Sequence, residues 1–556
     1  MMSEVEARAT DVDPLTRVLD ELGDGSSLVW IIFLFTMFPT IFAGMHSNTY
    51  IFIAENPTHW CAVPELTSAN WTSEQIREVS SAGACAKYDY NYSLLAEIGF
   101  AESRRYVAQR IKDATTLDCT GHNYADDTDR TSMVQEWDLV CKDAPKRATT
   151  HMALSLGKLL GAGFLGVSAD KYGRRSIYVL GIFMFIVAGP ASAYVPWYWG
   201  FVCLRLLTGV SFSAIQFSSL TTLTEVAGNT HRQWMAVAFN CGFASGPIIV
   251  AGVAYLSWTW RQIQVATSLP ALVLLLFAWL MPESPRWLIA QGRRKEARRV
   301  LERFNGPIKD DYELPRTTGT GVTGKTVDGA EEKKGLSLWS DQMRGLKVIF
   351  GCAELRLRMF ITCFTWLTAS LTYYALALNV DNIAVDYYLF AVLQGVTEIP
   401  AYLVPTPILI VMGRRQASSM LFVLSGALLM AILSISRSNT AVIVAATLVS
   451  RFALSAAYGV IILYTSEFFP TVSRNSALGV SSAMAHVGSI VAPYSVVSLG
   501  NVVWWGPSTF CGILVLGAGV ACRALPETRN RPLADTVQEE LAEGRGSVSL
   551  GCKCSR

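Results

Sequence analysis

The chain is punctuated by apolar runs about as long as a membrane is thick, and that pattern leaves few architectures open. A helix of roughly 20 residues covers the ~30 Å hydrocarbon core of a bilayer and pairs its own backbone groups where no water can. The first run covers 28–53, and five more follow near 149–169, 176–195, 198–223, 234–256 and 261–281. After a polar stretch from Glu283 to Lys347 come six others, near 359–379, 385–411, 416–435, 441–464, 475–499 and 502–524. The sequence therefore predicts an all-α membrane protein of twelve transmembrane helices, six in each half. The first run is too long and too aromatic to be a cleavable signal peptide. With 51% hydrophobic and 16% charged residues, the composition is seldom that of a soluble domain. A net charge of +2, with no basic domain, gives no footprint for nucleic acid.

Short loops rich in Lys and Arg stay in the cytoplasm. Such clusters occur at Lys171–Arg175, Arg232, Arg286–Arg303, Arg414–Arg415, Arg474 and Arg523–Arg531, all on one side if twelve helices alternate. The expectation is a plasma-membrane protein with both termini cytoplasmic. Its parts are a cytoplasmic N-terminus (1–27), a first bundle (28–281) that includes an extracellular loop (54–149), and a cytoplasmic basic helix and linker (282–350). A second bundle (351–525) and a cytoplasmic tail (526–556) follow. Within the connecting piece, Trp287 to Phe304 has apolar residues at helical spacing and predicts one amphipathic helix. Gly306 to Lys334, rich in Gly, Thr, Pro and charge, predicts a mobile linker.

The loop after the first span holds two Asn-x-Ser/Thr acceptors, Asn70 and Asn91, which makes them N-glycosylation candidates. It also holds Cys61, Cys85, Cys119 and Cys141, which can form two disulfides in any of three pairings. A loop with little apolar periodicity needs such staples to hold a shape. The other cysteines and the six histidines lack metal-ligand spacing, so no metal and no cofactor is expected. Cys552 and Cys554 offer a weak palmitoylation signal.

The halves repeat each other at matching places. Gly166-Val-Ser-Ala-Asp170-Lys-Tyr-Gly-Arg174-Arg175 lies between the second and third spans, and Gly413-Arg414-Arg415 between the eighth and ninth, with Ile410 where the Asp would stand. Glu225 precedes Arg232 by seven residues after the fourth span, and Glu467 precedes Arg474 by seven after the tenth. Pro282-Glu283-Ser284-Pro285-Arg286 follows the sixth span, and Pro526-Glu527-Thr528-Arg529 the twelfth. These residues resemble the major facilitator superfamily along the whole chain. The resemblance implies two pseudo-symmetric six-helix bundles that rock around a site near the bilayer midplane. It also implies that Asp170, Arg174, Glu225, Arg232, Glu467 and Arg474 act as conformational-switch charges on the cytoplasmic side. More narrowly, Glu136-Trp-Asp-Leu-Val-Cys141, Met281-Pro-Glu-Ser-Pro-Arg-Trp-Leu288 and the Cys-bearing loop resemble the organic cation, carnitine and organic anion transporters.

An ionisable group at mid-membrane costs about 2.5–3.5 kcal/mol on insertion scales and so marks function or pairing. Lys158 in the second span matches an aromatic pocket position of the related cation transporters; a cation there opposes cations and attracts a carboxylate. Glu398 in the eighth span, within Glu-Ile-Pro-Ala, resembles cation and carnitine transporters, whereas anion carriers have Lys where this chain has Tyr402. It either binds a substrate amine or neutralises Lys158. His486 in the eleventh span stands where cation transporters have Asp and anion and carnitine transporters Arg, so it fits a weakly charged or zwitterionic substrate. Tyr373, Tyr374 and Trp366 fit a cation-π wall, and Asn240 matches a polar pocket position of the family. The expectation is a secondary transporter of small organic zwitterions, such as β-alanine or carnitine, whose partners are that substrate and membrane lipid. A polyspecific organic cation transporter is the alternative, with a transporter-like receptor or a channel from another class. No nucleophile motif or metal triad points to an enzyme, and oligomeric state leaves no signal.

Overall fold

The computed structural model describes residues 26–110, 114–125, 130–305, 345–383 and 386–529. The linker 306–334 and the cysteines of the tail lie outside them. Among the described residues twelve helices are long and apolar enough to cross a membrane. In chain order these are α1 (Ser27–Ile53), α2 (Ala144–Tyr172), α3 (Arg174–Ala191), α4 (Tyr198–Val226), α5 (Asn229–Tyr255) and α6 (Trp260–Leu280). The second set is α7 (Ala353–Leu378), α8 (Tyr387–Val411), α9 (Arg414–Ser434), α10 (Thr440–Phe468), α11 (Thr471–Gly500) and α12 (Gly506–Ala524). Large side chains such as Phe183, Val187, Trp279 and Ile513 are more than half exposed on the outer faces, which suits helices solvated by lipid.

Local sequence explains the irregularities. Pro270 has no N–H to give the preceding turn, and α6 tightens to a 3₁₀ turn over Leu269–Val273. α8 pauses at Val404 and resumes at Pro405. Small residues let helices touch: a Cβ on Gly157 of α2 would lie 2.1 Å from the Leu206 carbonyl oxygen of α4, and one on Gly209 of α4 2.1 Å from that of Leu154. The two bundles meet where α2 packs on α11 and α5 on α8.

Between α1 and α2 the chain forms a cap, the one part of the described chain that is not all-α. Strand β1 (His59–Cys61) pairs antiparallel with β4 (His122–Tyr124), and β2 (Ala86–Tyr88) with β3 (Thr116–Asp118). Four short helices surround a core of Trp60, Val63, Leu66, Ile76, Val79, Tyr92, Leu95 and Val107. The apolar positions are spread over elements too short to show a period. Cys61 is bonded to Cys119 and Cys85 to Cys141. Asn70 and Asn91 are both exposed on this cap.

The connecting piece departs from its expected form. In place of one helix over Trp287–Phe304 there are two, Pro285–Ala290 and Arg294–Asn305. Gly292 breaks them with φ +77°, a left-handed conformation that glycine adopts without steric cost. The turn lets Leu301 bury against Leu28, Val29 and Leu223, while the Trp287 indole N–H donates to the Asp170 carbonyl at 2.9 Å.

Candidate functional site

A cavity of about 250 Å³ lies between the bundles, lined by Thr40 of α1, Lys158 of α2, Gln216 and Phe217 of α4, and Asn240 and Phe243 of α5. The second bundle contributes Tyr373 and Tyr374 of α7, Tyr402 of α8, Ser455 and Tyr458 of α10, and Ser482 and His486 of α11. Of the eight predicted substrate residues, six line this space: Lys158, Asn240, Tyr373, Tyr374, Tyr402 and His486. Lys158, beside the Gly157 contact, donates from Nζ to the Ser47 hydroxyl at 2.8 Å and lies 5.8 Å from the Phe243 ring centroid. Among the described residues no carboxylate is within ion-pair distance of it.

Two expected site residues lie elsewhere. Glu398 faces Arg451 of α10, not Lys158: the Arg451 guanidinium donates to its Oε2 at 3.1 Å, and the pair is 1% and 0% exposed. The Tyr373 and Tyr402 hydroxyls donate to its Oε1 at 2.5 and 2.7 Å, so this carboxylate is fully engaged. Trp366 is also set back, its indole N–H donating to Thr465 at 3.1 Å and its ring packed on Tyr458. Sequence reasoning passed over Arg451, although the rule that singled out Lys158 applies equally to it. It also passed over Tyr458.

The cavity reaches from mid-membrane toward the side opposite the cap, since Phe217, Tyr402 and Tyr458 lie in the halves of α4, α8 and α10 remote from it. On the cap side the bundles are joined. Arg147 of α2 pairs with Asp381, just beyond α7, at 2.8 Å, and Thr149 meets the Tyr494 hydroxyl of α11 at 2.9 Å. Arg130, at the end of the cap, contacts Glu55 and donates to the Tyr388 hydroxyl of α8 at 2.9 Å.

On the opposite side each bundle carries a charge cluster around its repeated motif, and the two copies match. The Glu283 carboxylate accepts from the backbone N–H groups of Arg174 and Arg175 at 2.9 and 3.2 Å, capping α3. Glu527 accepts from those of Arg414 and Arg415 at 2.8 and 3.3 Å, capping α9. A carboxylate at a helix N-terminus meets its free N–H groups and positive dipole end. Burial nevertheless pushes the Glu283 carboxyl above its ordinary pKa, against the pull of those backbone donors. Arg174 bridges Asp170 and Glu225, each at 2.9 Å, and Arg414 holds Glu467 at 3.1 Å. These pairs stay inside their own bundles and do not bridge the two. Nε and one terminal nitrogen of Arg474 are buried without a hydrogen-bond partner, and the Arg232 side chain lies outside the described residues.

Two six-helix bundles around a mid-membrane cavity, joined on the cap side, define a secondary-transporter fold. The sugar (and other) transporter family model matches residues 107–539. The chain is 30% identical to "Solute carrier family 22 member 16" of Xenopus laevis, over 96% of this chain and 95% of that one. It is 29% identical to "Organic cation transporter protein" of Drosophila melanogaster (94% and 93%) and 28% to "Organic cation/carnitine transporter 2" of Mus musculus (96% and 94%). Among solved structures it resembles the inward-open xylose transporter XylE from E. coli, with TM-score 0.59 and 15% identity over 93% of this chain and 99% of that one. The chain belongs to the sugar (and other) transporter family and, within it, to solute carrier family 22, the organic cation, carnitine and anion transporters. It is a multi-pass membrane transporter and not an enzyme.

Proposed function

We propose that this carrier moves small zwitterions of the β-alanine or carnitine type across the plasma membrane by alternating access. On this reading the cap, which carries the sequons and both disulfides, faces outside and both termini face the cytoplasm. The observation that carries the substrate reading is Lys158, a cation on the cavity wall with no carboxylate partner among the described residues. With Glu398 neutralised by Arg451, Lys158 leaves the cavity electropositive and suited to a carboxylate. The substrate ammonium rests on the rings of Tyr374 and Tyr458, since the Tyr373 ring is already covered by Arg451 at 4.0 Å. An amine-free organic anion is the second reading, favoured because none of the described residues lining the cavity is a carboxylate that could take an amine. An organic cation carrier would have to neutralise Lys158, whose Nζ is bonded to a serine instead.

The test is accumulation of labelled β-alanine, carnitine, an amine-free carboxylate and a quaternary ammonium in cells expressing wild type or Lys158→Ala. The expected result is saturable accumulation of a zwitterion, reduced about 10- to 100-fold in Lys158→Ala at equal surface abundance, the size of a lost charge-assisted hydrogen bond. Uptake of the quaternary ammonium alone, unchanged in Lys158→Ala, sinks the carboxylate reading. Binding without accumulation points to a receptor, and non-saturating current to a channel.

A further inference from the structure

His151 of α2 is 2% exposed, yet neither ring nitrogen has a hydrogen-bond partner. Leaving a buried polar group unpaired forfeits the hydrogen bonds it would make to water, so such a group calls for a reason. Packing supplies none, because its ring neighbours are Tyr50 of α1 at 5.5 Å and Tyr374 of α7 at 5.4 Å between centroids.

Its position supplies one. At about 100° per residue, Arg147, His151 and Lys158 leave α2 within about 40° of one another, and His151 stands about 6 Å from the first and about 10 Å from the second along the axis. The helix thus turns a stripe of three nitrogen-bearing side chains toward the boundary between the bundles. Arg147 ends in the cap-side pair with Asp381, Lys158 lines the central cavity, and His151 lies between. Tyr374 touches His151 and also lines that cavity, so its ring separates the two.

The contacts of Arg147 with Asp381 and of His151 with Tyr374 both join opposite bundles, so any rocking that opens the cap side must part them. His151 then fronts the open path one step outside Lys158. A neutral imidazole has one N–H to donate, enough to hold a carboxylate without adding a charge. We infer that His151 forms an outer binding station for the substrate carboxylate, used as the ligand enters from the cap side and closed over by Tyr374 when the bundles meet. The inference rests on the carboxylate reading of Lys158, and its test separates the two.

The experiment compares the KM of uptake with the KM of efflux from preloaded cells, using whichever of β-alanine and carnitine is better carried. Wild type, His151→Phe, His151→Gln and Lys158→Ala are matched for surface abundance. His151→Phe is expected to raise the uptake KM about tenfold, the scale of one hydrogen bond to a charged group, with the efflux KM unchanged. His151→Gln, whose amide still donates, should keep most of the uptake affinity. An unchanged uptake KM in His151→Phe, with Lys158→Ala inactive, overturns the outer station and leaves the central site standing. A loss that appears equally in uptake and efflux overturns it too, by showing that the ring only packs. Normal carboxylate uptake by Lys158→Ala removes the central reading and the outer station with it.

Discussion

Without Arg451, the Glu398 carboxylate would stay buried with two tyrosine hydroxyls and no cation. Breaking a buried ion pair from one side typically costs about 3–5 kcal/mol. Arg451→Ala should therefore lose most of its surface protein, and adding Glu398→Gln should restore much of it; surface biotinylation reads both. Lys158→Ala should reach the surface normally, because it strands no opposite charge. The two residues look alike in the sequence, each a lone cation inside an apolar run. Lys158, His486 and Asn240 drew notice because each departs from or matches a family pocket position, and Tyr374 because an aromatic wall suits a cation. That Glu398 belongs to Arg451 was not legible, since α8 and α10 are 53 residues apart at this contact and only packing sets which charges face each other.

The helix that starts at Arg174 depends on one backbone angle. Gly173 has φ +97°, and a Cβ there would lie 2.3 Å from Glu283 Oε2. Gly173→Ala should displace the carboxylate that caps α3, with about 1–2 kcal/mol more for the left-handed backbone. Because these residues lie far from the cavity, the expected result is a lower transport rate at unchanged KM, read from initial rates of uptake. The matching Gly413 would bring a Cβ 2.3 Å from Glu527, so Gly413→Ala should do the same. The sequence announced both motifs by repetition but not that the later glutamates cap the earlier helices, a contact across 109 residues in the first copy. The twelve spans were legible because lipid imposes length and polarity on each. The cap was not, since its short helices and strands bury at most three residues apiece. At the connecting piece Gly292 was the available signal for two helices, and the apolar spacing on either side masked it.

Taken as a whole, the molecule is held shut on the cap side by Arg147 and Asp381. Arg147→Asp and Asp381→Arg should each weaken that closure and slow transport, and the double swap should recover it, a coupling that uptake rates measure directly. With the cap outside, Asn70→Gln and Asn91→Gln should each remove one glycosidase-sensitive step in apparent mass on a gel; no change in either would place the cap on the other side. The cavity's division of labour has a last consequence. Its cation belongs to one bundle and its tyrosines to the other, so a ligand that reaches only one wall has nothing with which to draw the halves together. For the zwitterion proposed above, the carrier would then act as a gauge of length, admitting a molecule by the span between its acid and its amine as much as by either group alone.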